Sequence, residues 1–169
     1  KQLFSVLFDE RTTAFLDADE ISFVEETVPL TAFLDDDHVN LPQIRENRCE
    51  WIIKPTDHYG ADDVYAGESV TQEEWERLID RFANGRAGHP FIVQRYIRPF
   101  KTETLPPDTG IDALPDDEVP FDPRPYNNLN GLYLYDGEFM GVFSRLGPQP
   151  TISKDKQGMT AATIWVGRG

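Results

Sequence analysis

At 169 residues the chain is long enough to bury a real core, and with 39% apolar and 12% aromatic residues it belongs with globular rather than disordered proteins. A net charge of −14 argues against a nucleic-acid or anionic-membrane binder, both of which attract excess Lys and Arg. It also means that any anionic ligand must be held by a local cationic cluster, because the field of the whole chain repels it.

The first residues, Lys1 followed by Gln-Leu-Phe-Ser-Val-Leu-Phe, are already apolar-rich helical sequence and read as part of a longer protein. No apolar run approaches membrane length and no signal peptide is visible. Residues 1–48 read as a helical lead-in. Asp17-x-x-Glu20 is a capping box ahead of Ile21, Val24 and Val28, with Pro29 closing the segment. Asp35-Asp36-Asp37 reads as a solvated turn, since no Gly or Glu follows at EF-hand spacing. Asn40 then caps a short helix with Pro42 in its first turn.

The single cysteine, Cys49, excludes an internal disulfide and suits a reducing cytoplasm. It opens the stretch around which the chain is organised. Trp51-Ile52-Ile53 is apolar and β-branched enough for a strand; it ends on Lys54, and Pro55 bars a helix. A polar loop containing Gly60 leads to a second short strand at Val64-Tyr65-Ala66. This is the layout of a hairpin that closes over phosphates, with a point charge from the lysine and backbone N–H groups from the loop. It lacks the spacing of a P-loop or a Rossmann turn. Taken alone, Lys54 reads as a solvated edge lysine.

Thr71-Gln72-Glu73-Glu74 is a second capping box, and Trp75, Leu78, Ile79 and Phe82 follow with helical spacing as one apolar face; Asn84-Gly85 ends that helix. Phe91 to Ile97 is an apolar strand that turns polar at Gln94. Residues 101–130 are rich in proline and carboxylates and read as a mobile acidic loop. Leu132 to Tyr135 and Glu138 to Arg145, joined by Asp136-Gly137, form a hairpin with a type I′ turn, broken at Gly147-Pro148. Short strands are expected near Thr151-Ile152-Ser153 and Thr163-Ile164-Trp165-Val166. His38, His58 and His89 are scattered without a Cys or Glu at ligand spacing, so the sequence assigns no metal residues.

The order of Trp-Ile-Ile-Lys54-Pro with its Tyr-Gly-Ala loop, then Ile-Val-Gln94-Arg-Tyr-Ile, then Tyr-Asp-Gly-Glu-Phe-Met-Gly-Val-Phe-Ser-Arg145 resembles the ATP-grasp superfamily. More narrowly, it resembles the carboxy-terminal part of circularly permuted, glutathionylspermidine-synthase-like ligases. The resemblance covers residues 50–166 apart from the proline-rich loop. It implies an α+β fold, partial and ATP-grasp-like: the helical lead-in 1–48 followed by a nucleotide-binding portion, 49–169, whose antiparallel sheet carries one packed helix.

The resemblance also implies that Lys54 and the loop at Gly60 contact ATP phosphates, and that Gln94, Arg95, Tyr96 and Ile97 pass the adenine. Arg145 would neutralise the γ-phosphate or the acyl phosphate formed from it. The implied activity is that of an ATP-dependent carboxylate–amine ligase, with ATP and Mg²⁺ as cofactors and small carboxylate and amine substrates. Two features depart from the family pattern. Arg86-Ala-Gly-His89-Pro stands where a second lysine is usual, and Asp62-Asp63 lies in the phosphate loop. The Mg²⁺ ligands of the family fall upstream of Lys1, in the rest of the parent chain, and the fragment alone is expected to be inactive. Two readings of another class stand beside the ligase: a non-catalytic nucleotide-binding or interaction module that has lost the metal site, and an acidic globular interaction domain.

Overall fold

The structure is a computed structural model that describes residues 1–58, 61–105 and 122–163. It is α+β, with two four-stranded antiparallel sheets, and the chain divides into two compact units, Lys1–Ile97 and Arg98–Gly169. Among the described residues no helix is long and apolar enough to cross a membrane.

In the first unit three helices come first: α1 (Leu3–Leu7), α2 (Glu10–Thr13) and α3 (Ala18–Thr27). The Asp17–Glu20 capping box is formed in both directions. After Pro29 the chain leaves the expected helical course. Thr31–Phe33 is a strand, β1, so the lead-in 1–48 is not helical throughout. Three residues are too few to announce a strand by pattern, and β1 exists because it pairs with β4 (Phe91–Arg95), far along the chain. The Asp35-Asp36-Asp37 run does form a turn. Asp35 Oδ1 accepts the backbone N–H groups of Asp37 and His38.

Asn40 caps α4 (Leu41–Glu46) through the N–H of Gln43. Strand β2 (Trp51–Pro55) follows, then β3 (Tyr65–Ala66), antiparallel to it as the hairpin reading requires. The sheet order is β1-β4-β2-β3. Alternation along β2 and β4 sends Trp51, Ile53, Phe91 and Val93 to one face, where they are buried together with residues of two helices. One is α5 (Gln72–Phe82), whose reciprocal Thr71–Glu74 capping box forms and whose Trp75, Ile79 and Phe82 enter the core. The other is α4, through Leu41 and Ile44, so a second helix packs where one was expected. The Trp75 indole N–H donates to the Ile44 carbonyl at 3.0 Å, pinning the two together. Beyond α5, Asn84 and Gly85 both take positive φ, 56° and 69°, and end the helix.

In the second unit the sheet order follows the chain: β5 (Lys101–Thr104), β6 (Arg124–Tyr135), β7 (Glu138–Gly147) and β8 (Met159–Ala161). The Asp136-Gly137 turn has both φ values positive, 51° and 79°, as a type I′ turn requires. The loop assigned to 101–130 is shorter than expected. Residues 101–104 and 124–130 are strand, because each finds its ladder partner in the other, from Lys101↔Asn127 to Thr104↔Arg124. Residues 106–121, the rest of that loop, lie outside the described residues, as does the strand expected at Ile164-Trp165-Val166. Thr151-Ile152-Ser153 is not a strand; it leads into a 3₁₀ turn, Lys154–Lys156.

Packing of this kind sets the cost of perturbing it. Trp75→Ala is expected to lower stability by about 3–5 kcal/mol, since it opens a cavity and leaves the Ile44 carbonyl unpaired. Phe23→Ala, at a side chain 66% exposed, should change stability by no more than about 0.5 kcal/mol. Gly67→Ala would set a Cβ 2.0 Å from the Arg48 carbonyl oxygen and should destabilise although it adds only one methyl group. Urea unfolding of the three variants checks the ranking.

Candidate functional site

Lys54 is the fourth residue of β2 and points away from the helix-covered face. Its ammonium donates to Gln94 Oε1 on β4 at 2.5 Å. The Gln94 amide donates in turn to Thr31 Oγ1 on β1 at 2.7 Å, and the Thr31 hydroxyl donates to the Pro29 carbonyl at 2.8 Å. A single polar line therefore crosses three neighbouring strands on one face, among Ile52 and Ile92. Gln94 and Thr31 are buried, so each polar atom of that line requires a partner, and the line supplies them.

This arrangement leaves Lys54 with a neutral partner. Burial, and secondarily the charge of Lys1, lower its pKa from 10.5 to about 8. At neutral pH it is still a cation by about ten to one. One of its donor directions is used by Gln94, and an ammonium has three. Among the described residues it is a desolvated positive charge without a carboxylate partner, and that is the electrostatic requirement for an anion site in a chain of net charge −14.

The other residues of the expected site are arranged differently. Arg95 is on the opposite face from Gln94, where it pairs with Glu50 at 2.8 Å and lies over the Trp51 ring at 5.5 Å. The Tyr96 backbone N–H donates to the Glu50 carbonyl, and β4 ends at Arg95, short of Ile97, which is 65% exposed. Of the four residues implied to pass the adenine, only Gln94 meets Lys54. Arg145 belongs to the second unit, on β7, exposed and with its guanidinium 6.0 Å from the Phe143 ring. Gly60 lies outside the described residues.

The histidines require a correction. His58 and His89 are not scattered: with Asp57 they form one group whose donor atoms all lie within 4.8 Å of one another. The reason is the β2–β4 ladder, which pairs Pro55 with Phe91 and continues through hydrogen bonds from the Thr56 N–H and hydroxyl to the Pro90 carbonyl. One further step sets Asp57 opposite His89. Pairing of the two strands was the signal that could have found the group, and spacing along the chain does not reveal it. Its donors, two imidazoles and a carboxylate, do not fit Mg²⁺, which takes oxygen ligands. His38 stands elsewhere, paired with Asp35 at 2.6 Å.

The lowered pKa of Lys54 has a consequence for stability. Below pH 8 both folded and unfolded chains hold the proton, and the folded chain bears the full cost of burying the charge. Between about 8 and 10.5 the unfolded chain binds the proton that the folded chain has released, so stability rises with pH. The rise attributable to Lys54 is at most about 3 kcal/mol. Urea midpoints measured across that window should rise in the wild type relative to Lys54→Met, and parallel curves would show that the lysine is not desolvated.

The polar line and the histidine group stand on their own geometry, because comparison with known proteins gives no match to any family model, curated protein or solved structure.

Proposed function

We propose that the first unit is the phosphate-binding part of an ATP-dependent carboxylate–amine ligase of the ATP-grasp kind. The observation that carries this reading is the 2.5 Å contact between Lys54 and Gln94. Two residues from separate strands, one expected at the phosphates and one at the adenine, are neighbours on one sheet face. In the chemistry proposed, a substrate carboxylate attacks the γ-phosphate to give an acyl phosphate and ADP. An amine then displaces inorganic phosphate to give the amide. Both steps gather negative charge on phosphate oxygens, and a preoriented, desolvated ammonium stabilises such charge more strongly than one in water. Lys54 fills that role, with Gln94 holding its Nζ in place. No step through Mg²⁺ is assigned to the described residues.

A second reading, a non-catalytic nucleotide-binding or interaction module, is favoured by a different observation. The β6–β7 hairpin exposes Leu132, Tyr133, Leu134, Tyr135, Phe139 and Met140 together, a grouping typical of surfaces that meet another molecule. Phosphate release by the longer parent chain, with ATP, Mg²⁺ and carboxylate–amine pairs, separates the two readings. Release supports the ligase; ATP binding without release supports the module.

Titration calorimetry with ATP tests the role of Lys54 directly. Loss of a charge-assisted phosphate contact in Lys54→Met should weaken binding by about ten- to a hundredfold at pH 7. Wild-type affinity should fall about tenfold more between pH 7 and pH 9, as the free ammonium titrates, while the variant stays flat. Equal affinity of the two proteins at pH 7 would overturn the assignment.

A further inference from the structure

We propose that Asp57, His58 and His89 form a binding site for a late first-row divalent metal ion, with Zn²⁺ as the ion their chemistry favours. The proposal is independent of the nucleotide reading. It rests on four observations in the first unit.

The donor set comes first. Two imidazoles and one carboxylate offer the nitrogen-rich environment preferred by Zn²⁺ and its neighbours over Mg²⁺ or Ca²⁺. Three protein ligands leave a position open to water or to a ligand oxygen.

The second observation is that both imidazoles are already oriented. Tyr65, Phe82, Phe91, His89 and His58 form a column of rings in successive contact. The centroid separations along it are 5.7, 4.1, 4.9 and 4.9 Å. The inner members of the column are core residues, so His89 is supported on a rigid base. Gly88, with φ of 84°, and Pro90 set its backbone, and the Pro90 carbonyl is tied to Thr56. On the other side, Lys1 Nζ donates to the His58 carbonyl at 2.9 Å.

Third, a carboxylate stands near the far nitrogen of one imidazole, on the side where metal-bound histidines use one. His58 Nε2 lies 4.0 Å from Asp57 Oδ1, while its Nδ1 is 3.7 Å from Asp63 Oδ2. Asp63 is itself held by the Tyr65 hydroxyl, which donates to its other oxygen at 3.0 Å. Its φ of 52° is a conformation that a non-glycine residue adopts at a local cost. A carboxylate behind a histidine fixes the tautomer and raises the basicity of the metal-binding nitrogen. Asp63, which would repel a phosphate at this place, is well suited to a cation.

The fourth is an unmet need. His89 Nε2 is shielded from solvent and has no hydrogen-bond partner among the described residues. A buried orphan nitrogen is costly, and a cation satisfies it.

The donor atoms are spread somewhat wider than the ~3.4 Å separation of tetrahedral zinc ligands. Asp57, whose side chain is 68% exposed, has room to turn inward. Bound there, the ion would clamp the exit of β2 to the entrance of β4, at the end of the ladder that supports Lys54.

Calorimetric titration of the metal-stripped chain with Zn²⁺ tests the site, and Co²⁺ substitution adds a visible ligand-field spectrum as an independent readout. The wild type should bind one equivalent. Asp57→Asn and His58→Ala, both at partly exposed positions that leave the core intact, should each weaken binding at least about tenfold, and Asp63→Asn by about 10–100-fold. His89→Ala should do the same where circular dichroism shows it folded. His38→Ala should bind as the wild type does. Absence of stoichiometric Zn²⁺ binding by the wild type would overturn the proposal. Unchanged affinity in both Asp57→Asn and His58→Ala would do so too, by placing the ion elsewhere.

Discussion

The interaction on which the first unit depends is the antiparallel ladder between β2 and β4, running from Trp51↔Arg95 to Pro55↔Phe91. Strand alternation then divides its side chains without further choice. Trp51, Ile53, Phe91 and Val93 go to the helix-covered core, and Ile52, Ile92, Lys54 and Gln94 go to the opposite face. A slip of one residue would bring Lys54 into the core and Ile53 out of it, so the burial of one face specifies the register of both. The same register brings Lys54 within reach of Gln94 and, past the ends of the strands, Asp57 opposite His89.

Charge gives the arrangement its meaning. The chain carries 30 acidic and 16 basic side chains, and among the described residues several arginines form ordinary surface ion pairs, such as Arg45 with Asp80 and Arg95 with Glu50. Such pairs contribute little to stability. Lys54 differs in being desolvated and matched to a neutral amide. Burying a cation with no counter-ion among the described residues is destabilising. Here the Gln94–Thr31–Pro29 line limits the cost by satisfying every polar atom behind the ammonium.

The column from Tyr65 to His58 links core packing to the second candidate site in the same way. Phe82 and Phe91 are there for burial, yet by stacking on them the two histidines acquire fixed planes that a solvated loop would not give. Preorientation of ligands by packed neighbours is what distinguishes a site from a chance meeting of polar groups.

Much of this was legible in the sequence. The two capping boxes, the amphipathic face of α5, the β2–β3 hairpin and the Asp136-Gly137 turn were all readable, because each depends on interactions between residues a few positions apart. Lys54 stands out in the sequence from its place between an apolar run and a glycine-containing loop. What sequence could not reach depends on contacts between distant segments. β1 is three residues long and is a strand only because β4 lies beside it; β5 and the start of β6, inside a stretch rich in proline and acid, are strands only because they meet each other. The partner of Lys54 was on the page as Gln94, but their bond is a matter of register. Asp57, His58 and His89 carry no ligand spacing because their 31-residue separation is closed by a ladder, through hydrogen bonds of the backbone that any residue but proline can donate. Local chemistry is therefore written in the order of the residues, and the meeting of distant side chains is decided by the pairing of strands.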